Sequence, residues 1–253
     1  NWSGTGNDFN PHFFNYPALV FYLHFLVQAV HYGIGHLIGA YPTLEAFGNN
    51  IPSSIVVERA VSVLFDGGTI WLVYLLGRRL GGVRAAIVAA LLLALNPLHI
   101  KEAHLINVDT PLACLALLAV LRLHYLHERP TRANYLFAGI VIGLAVATKY
   151  TGAYLLLALV VAHLLLAPSV GSALRSLVNR SLIFSLLTAG AVFFLANPYI
   201  LLSPGEFWGD FSFEQYHMAY GHLGLDPSQS TASFYVLGVL PANLGWVFWG
   251  ICL

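Results

Sequence analysis

The sequence predicts an all-α membrane protein, a polytopic bundle of about seven to eight transmembrane helices with about 20 mostly apolar residues each. Three observations carry this prediction. Hydrophobic residues make up 58% of the 253 positions. Charged residues make up only 9%, whereas soluble domains carry about 25%. Apolar runs recur along the whole chain, and prolines and glycines interrupt several of them, so tilted or broken helices are expected.

Composition also restricts the partners. Eleven Lys and Arg residues balance eleven Asp and Glu residues, so the chain lacks the basic field that nucleic-acid binding requires. The expected surroundings are a lipid bilayer, with no nucleic-acid partner. The two cysteines, Cys114 and Cys252, lie in apolar stretches, which favours neither a disulfide framework nor a cysteine metal site.

The predicted spans follow one another closely. We expect one transmembrane domain over residues 1–253, cut inside a loop at its start and inside a span at its end, with an eighth span opening near Ser233. The seven preceding spans are predicted at residues 16–40, 55–76, 84–97, 110–125, 135–148, 150–166 and 182–198.

Arginine placement predicts the orientation, because short cytoplasmic loops retain Lys and Arg. Alternate connections carry the arginines, and the opposite connections carry most carboxylates, including a long loop over residues 197–232. Loops of that length usually have a function. We therefore expect a multi-pass membrane protein with its active side extracytoplasmic. The membrane that we expect is a prokaryotic plasma membrane. The cytoplasmic arginines are Arg78, Arg79, Arg84, Arg122, Arg129, Arg132, Arg175 and Arg180.

Three charged residues lie in the second predicted span, where a buried charge is costly and indicates either pairing or function. Glu58 and Arg59 are near its outer end, and Asp66 lies about two turns deeper. Arg59 and Asp66 are seven positions apart and share a helix face. This spacing predicts a buried pair or small network, and contact with a ligand is the alternative.

The densest polar segment, residues 96–111, joins two predicted spans and carries Glu102 and Asp109. On a helix these two carboxylates would share a face. With His99 and His104 nearby, the pattern indicates an acid/base or metal site. An outer loop solvated by its own charges is the alternative. Asp109 also stands where a helix N-cap is expected, so capping is a second explanation for it.

Lys149 lies between two apolar runs, in the sequence A-T-K-Y-T-G. An ammonium group on the outer side, against the cytoplasmic bias of the other cations, is well placed to bind a lipid phosphate. Snorkelling of the side chain to the interface is the alternative. The other candidates for substrate or lipid-phosphate binding are Arg59, Lys101, His104 and Tyr150.

Six segments, in order, resemble one known family. They begin with N-P-H-F-F-N-Y-P-A-L-V-F-Y, E-R-A-V-S-V-L-F-D-G-G-T and Y-L-L-G-R-R-L-G-G. They continue with L-N-P-L-H-I, A-H-L-I-N-V-D-T-P-L and G-I-V-I-G-L-A-V-A-T-K-Y-T-G. Over residues 10–166 the chain resembles the GT-C glycosyltransferases of the dolichyl-phosphate-mannose protein mannosyltransferase and aminoarabinose transferase type.

This resemblance implies a membrane glycosyltransferase that takes a sugar from a polyprenyl-phosphate donor and passes it to a protein, lipid or glycan acceptor. It implies that Asp109 holds an acidic position of the outer cavity, that Lys149 belongs to a recurrent T-K-x-x segment and that Arg59 is a recurrent arginine. The resemblance also implies that an Asp serving as general base or acceptor-orienting group lies upstream of the segment that begins at Asn10, so this chain alone is expected to be inactive. Residues 14–17 read F-N-Y-P where aminoarabinose transferases have E-K-P-P, which argues against a metal or phosphate site there.

The mechanism we expect is direct displacement at the anomeric carbon of the sugar. A carboxylate takes the acceptor proton, and Asp109 and Glu102 are the catalytic candidates within this chain. Lys149, Arg59 and Lys101 neutralise the departing lipid phosphate. No cofactor is demanded, although the acidic outer face would tolerate a divalent cation. The alternatives are a transporter or flippase subunit with broken helices along a substrate path, or a purely structural membrane subunit.

Overall fold

The computed structural model describes residues 8–220, 230–244 and 249–250. These residues contain helices and no strand, which confirms the all-α prediction. A 3₁₀ turn, Tyr150–Ala153, precedes the seventh helix, and short helical stretches lie at Thr231–Ser233, Phe234–Val239 and Leu240–Leu244. The helices are α1 (Leu19–Leu37), α2 (Leu44–Gly48), α3 (Ile51–Ala94), α4 (Pro97–Ala103), α5 (Asp109–Glu128), α6 (Arg132–Thr148), α7 (Tyr154–Leu164), α8 (Val170–Ser176), α9 (Arg180–Ala196), α10 (Tyr199–Leu202) and α11 (Pro204–Tyr220).

The hydrophobic core lies where α5, α6, α7 and α9 pack together. The helix α6 carries small residues that let α9 approach closely. A Cβ atom on Gly139 would overlap the backbone of Ser185, and one on Gly143 would lie 2.6 Å from the carbonyl oxygen of Ala189. Two glycines four positions apart commonly form such close contacts between membrane helices. The buried core residues are Ala119, Leu123, Leu126, Tyr135, Ala138, Val141, Ile142, Leu159, Leu182 and Ala189.

The long helix α3 reverses direction at Gly82. This glycine has a positive φ of 78°, a conformation that few other residues adopt readily. Nine residues of straight helix would separate Gly77 from Ala86 by about 13 Å. A Cβ atom on Gly77 would instead lie 2.9 Å from the Cα atom of Ala86. The helix is therefore a hairpin of two arms, and Arg79 lies close to its turn.

The structure provides fewer spans than the sequence suggested. By length and apolar composition, α3 and α5 can cross a membrane, and the pair of α8 and α9, bent by 50°, gives a third if it forms one broken span. The prediction of seven to eight spans is therefore wrong for the described residues. Two predicted spans, 55–76 and 84–97, lie on either side of the turn at Gly82 and correspond to the two arms of α3, the second of which ends at Ala94. Others, such as α6, are shorter than the roughly 20 residues that a crossing needs.

The predicted outer loop at residues 197–232 contains two helices, α10 and α11. Residues 221–229 of this segment lie outside the described residues, as do the expected cut ends at 1–7 and 251–253. Of the eighth predicted span, the structure describes helical stretches between residues 231 and 244.

Candidate functional site

Asn107 organises the start of α5. Its Oδ1 atom accepts hydrogen bonds from the backbone N–H groups of Asp109 and Thr110, at 3.1 and 3.0 Å. These are N–H groups that a helix cannot satisfy within itself, so the Asn107 side chain caps α5. Asp109 lies in the first turn of the helix. The alternative explanation, that Asp109 is the cap, is wrong, and its carboxylate makes a different contact.

Asp109 pairs with Lys149. The Nζ atom of Lys149 lies 2.7 Å from Oδ1 of Asp109, which makes a charge-assisted hydrogen bond. The Lys149 side chain is 26% exposed and that of Asp109 is 58% exposed. The Lys149 ammonium also lies 5.7 Å from the ring centroid of Tyr16, within the range of cation–π attraction. The pair is thus partly sheltered on the lysine side and open on the aspartate side.

Lys149 stands at a sharp break after α6. Its backbone is extended, with φ −153° and ψ 137°, and it ends the helix. The N–H group of Gly152 donates to the carbonyl oxygen of Lys149 at 2.8 Å. A Cβ atom on Gly152 would lie 2.5 Å from the carbonyl carbon of Ala145, so this turn packs directly against α6. The sequence T-K-Y-T-G therefore forms a tight turn that presents Lys149 at the helix end.

Glu102 reaches the pair indirectly. Its Oε2 atom accepts a hydrogen bond from the side-chain amide of Asn107 at 2.9 Å. The helix α4 ends at Ala103 and α5 begins at Asp109. The prediction that Glu102 and Asp109 share one helix face is wrong, because the chain is not helical between them. Asn107 instead connects the two, since it binds Glu102 through its amide nitrogen and caps α5 through its amide oxygen.

The N-terminal segment (residues 8–18) covers the Lys149 turn. The hydroxyl group of Tyr150 donates to the carbonyl oxygen of Phe14 at 2.9 Å, and Phe14 is buried. The ring of Phe211, on α11, packs edge-on against Tyr150 with the centroids 5.4 Å apart. Tyr150 therefore joins the N-terminal segment, the Lys149 turn and α11.

Three carboxylates on successive turns of α11 hold the N-terminal segment. The first, Glu206, accepts from the side-chain amide of Asn10 at 3.2 Å. The second, Asp210, accepts from the backbone N–H of Phe14 at 2.7 Å. The third, Glu214, accepts from the side-chain amide of the next residue along the segment at 3.1 Å. These carboxylates belong to the predicted acidic outer face, and they bind another part of the same chain.

His12 bridges the first of these carboxylates to Asp8. Its Nδ1 atom lies 2.8 Å from Glu206 and its Nε2 atom lies 2.8 Å from Asp8. The pKa of His12 is raised above its ordinary value of 6.5, mainly by the hydrogen bond to Asp8 and further by the hydrogen bond to Glu206. The hydrogen bond to His12 lowers the pKa of Asp8 below 3.8. All three side chains are exposed, so solvent screens the interaction.

An open cavity of about 780 Å³ lies between α1, α2, α3 and the residues just before α5. Most of its wall is apolar, with Phe21 and Phe47 among the lining residues. Its polar groups include Gln28, which donates to Glu58 at 2.9 Å. The cavity reaches Asn107, and it therefore adjoins the start of α5.

The partner of Asp66 is His99. The Oδ1 atom of Asp66 and the Nε2 atom of His99 lie 2.7 Å apart, and both side chains are largely buried. Arg59 is exposed, and it forms no ion pair within the described part of the chain. The predicted pair of Arg59 and Asp66 is therefore wrong. Seven-residue spacing permitted that pair, but α4 brings an imidazole closer to the carboxylate.

The structure thus brings Asp109, Lys149 and Tyr150 to one place and links Glu102 to them through Asn107. Sequence reasoning missed the role of Asn107. The available signal was an asparagine two residues before the first helical position, where its side chain can bind backbone N–H groups.

The remaining candidates lie apart from this group. Arg59, Lys101 and His104 are exposed, and among residues 8–220 they form no hydrogen bond or ion pair with Asp109 or Lys149. The Nδ1 atom of His104 contacts the carbonyl oxygen of residue 100 in its own chain segment, at 2.6 Å. Within the described ranges, no group of three His, Cys, Asp or Glu side chains has the arrangement of a metal site.

The fold and the site define an all-helical membrane protein whose charged groups meet where helices begin and end. The model of the family described as dolichyl-phosphate-mannose-protein mannosyltransferase matches residues 41–200, more than half of the chain. The chain belongs to this family of membrane-associated glycosyltransferases, which confirms the resemblance derived from its motifs. The matched range contains Asn107, Asp109 and Lys149, and the N-terminal segment and α11 lie outside it. No curated protein and no solved structure matches the chain.

Proposed function

We propose that this chain forms the membrane core of a glycosyltransferase that moves a sugar from a polyprenyl-phosphate donor to an acceptor hydroxyl or phosphate group on the extracytoplasmic face. Membership of the family supports glycosyl transfer from a lipid-linked sugar. The observation that carries the proposal to particular residues is the contact between Lys149 and Asp109.

Lys149 is the group that neutralises the departing phosphate. An ammonium group has three N–H donors, and Asp109 takes one of them. The other two can bind phosphate oxygens, as charge-assisted hydrogen bonds. Lys149 is about three-quarters shielded from solvent, and a fixed cation stabilises developing negative charge better where water is partly excluded. This position favours departure of the lipid phosphate.

Asp109 both orients Lys149 and accepts the proton. Its Oδ1 atom binds the ammonium group, and its Oδ2 atom accepts no hydrogen bond from the described residues. The acceptor oxygen forms a bond to the anomeric carbon, and the bond from that carbon to the phosphate oxygen breaks. The acceptor proton passes to the Asp109 carboxylate. Glu102 supports this arrangement through Asn107 and does not itself react.

The cavity beside α1 holds the hydrocarbon part of the donor. Ligand sites that bind apolar molecules are concave and mostly apolar, with a few polar groups that set the orientation. The cavity has aromatic walls and polar groups from Gln28 and Glu58. It reaches Asn107, and this contact connects the lipid cavity to the residues that position Asp109.

The ends of two helices support a multi-pass arrangement with the site outside. Asp109 begins α5 and Arg129 follows its last residue. Arg132 begins α6 and Lys149 follows its last residue. The arginines therefore lie at the opposite helix ends from the site, and arginines near helix ends favour the cytoplasmic side.

The test is transfer of radiolabelled sugar from polyprenyl-phosphate donors in membranes that contain the full-length protein. At matched folded abundance, we expect Asp109→Asn and Lys149→Ala each to lower transfer by about 100-fold, because each removes a group that stabilises charge in the transition state. Glu128→Gln and Arg79→Ala are the controls, since they break an ion pair of similar exposure, 2.9 Å long, at the other helix ends.

Three results would contradict parts of the proposal. Equal loss in the control variants would show that breaking an ion pair elsewhere in the helices lowers transfer as much, and would remove the particular role of Asp109 and Lys149. Normal transfer by Asp109→Asn and Lys149→Ala would keep the enzyme class and remove this site. Absence of transfer from every donor, in a folded wild-type protein, would favour the transporter or flippase alternative.

A further inference from the structure

Asp66 and His99 form a buried contact that the proposed chemistry does not use. Their side chains are only 13% and 16% exposed, and their nearest nitrogen and oxygen atoms lie 2.7 Å apart. The contact has the distance of an ion pair without the alignment of a hydrogen bond, and neither of these two atoms has a hydrogen-bond partner in the described part of the chain. A carboxylate inside a long apolar helix is unfavourable unless something offsets it. Each group therefore depends on the other.

The contact between Asp66 and His99 holds the first turn of α4 against α3. Asn96 caps α4, because its Oδ1 atom accepts from the backbone N–H of His99 at 3.1 Å. The imidazole of His99 then reaches back to Asp66 on α3. Beyond the other end of α4, the hydroxyl of Ser62 donates to the carbonyl oxygen of Leu105 at 2.7 Å. The segment 97–105 is thus held against α3 near both of its ends.

The held segment leads directly to the candidate site. Glu102 lies between the two attachment points and accepts from Asn107. Asn107 caps α5 and fixes the backbone of Asp109. Asp109 holds the ammonium group of Lys149. Movement of α4 relative to α3 would therefore change where the Asp109 carboxylate stands.

We propose that Asp66 is a positioning residue, which acts through His99 to hold α4 so that Asn107 keeps Asp109 against Lys149. The effect on turnover rests on the proposed glycosyltransferase function, whereas the attachment of α4 to α3 does not. The groups that face Asp66 are His99 on α4 and His104 just beyond it. On the side of α5, Cys114 packs against Gly68, about half a turn away on α3.

The experiment uses the full-length protein with Asp66→Asn, His99→Asn and the double variant. The first readout is hydrogen exchange of the amides in 97–105, with those in 132–148 as the internal reference. The second is kcat and KM for the polyprenyl-phosphate donor, at matched folded abundance. Tyr135→Phe is the control. It breaks another buried contact to a histidine, His163, at the end of α6 that is farther from Lys149.

We expect faster exchange in 97–105 and unchanged exchange in 132–148. We expect kcat to fall by about 10-fold, with little change in KM, since a small misplacement of a reacting group lowers turnover strongly. The double variant should behave like either single variant, because both break the same contact. Tyr135→Phe should leave exchange in 97–105 and kcat unchanged.

Unchanged exchange in 97–105 would overturn the attachment, whatever happens to activity. Faster exchange with normal kcat would overturn the link from the attachment to turnover. Additive losses in the double variant would show that Asp66 and His99 act separately, against the proposal. Absence of activity in the wild-type protein would reject the proposed function, and the exchange measurement would still decide the attachment.

Discussion

At the scale of single residues, Asn107 combines two connections in one short side chain. Its amide oxygen caps α5, and its amide nitrogen binds Glu102 at the end of α4. Because Asn107 caps the helix, the Asp109 carboxylate is not needed as a cap, and it binds Lys149. A change at Asn107 should affect both the stability of α5 and the position of the reacting carboxylate.

Asn107→Ala is expected to lower the free energy of unfolding by about 1 kcal/mol, the usual effect of losing a helix cap. It should also lower sugar transfer, because Asp109 loses its backbone support. Thermal unfolding and transfer by the full-length protein measure the two effects.

Thr131→Ala is the matched control for this change. Thr131 caps α6 by accepting from the backbone N–H of Asn134 at 3.3 Å, at the helix end away from Lys149. It should cause a similar loss of stability with normal transfer per folded molecule. If both variants reduced transfer equally, cap loss alone would explain the effect, and the particular role of Asn107 would be rejected.

At the scale of elements, α11 and the N-terminal segment form one unit. Carboxylates on three turns of α11 bind side-chain and backbone donors of that segment. The unit also contacts Tyr150, next to Lys149, through Phe14 and Phe211. The attachment of the N-terminal segment to α11 therefore determines how completely the Lys149 turn is covered.

This attachment should depend on pH. The pKa of His12 is raised in the folded protein, so its stabilising contribution is complete below pH 6.5 and is lost as pH rises through the higher folded value. The pKa of Asp8 is lowered, so its contribution is present above pH 3.8 and is lost as pH falls through the lower folded value. We expect the N-terminal segment to be held most tightly between pH 3.8 and 6.5.

Hydrogen exchange of the amides in the N-terminal segment, corrected for intrinsic rates, measures this dependence. In the wild-type protein exchange should become faster above pH 6.5. His12→Asn should remove that rise. Asn15→Ala, which breaks the contact with Glu214, should speed exchange at every pH and retain the rise. A rise that persisted in His12→Asn would assign the pH dependence to another group.

At the scale of the whole molecule, the close packing of α6 against α9 fixes the positions of these two helices in the core. Gly143→Ala is expected to destabilise the protein by about 1–3 kcal/mol, the usual range for overpacking. The added Cβ atom would lie 2.6 Å from the carbonyl oxygen of Ala189, and backbone cannot move aside as a flexible side chain does. Thermal unfolding of the full-length protein in detergent or lipid measures the loss.

Gly190→Ala on α9 is the matched control. A Cβ atom there has nothing within 4 Å, and alanine favours helix over glycine by up to about 1 kcal/mol. The variant should be neutral or slightly more stable. If Gly143→Ala were equally well tolerated, α6 and α9 would not pack as closely as the structure shows.

Much of the architecture followed from the sequence alone. A composition rich in apolar residues and poor in charges predicted an all-α membrane protein, and helix formation over most of the expected runs agrees. The ordered motifs indicated the family, which the match over residues 41–200 confirms. The number of spans was wrong, because apolar periodicity does not show where a helix stops short of a full crossing.

The sequence by itself determined which charged residues were available, the family and the helical character, because these depend on composition and local pattern. Only the tertiary structure decided which charged groups meet. Lys149 and Asp109 are 40 positions apart, and α11 binds a segment almost 200 positions away. Asp66 took its partner from another helix rather than from its own. Such pairings depend on how helices pack, and helical spacing only limits which side chains are available for them.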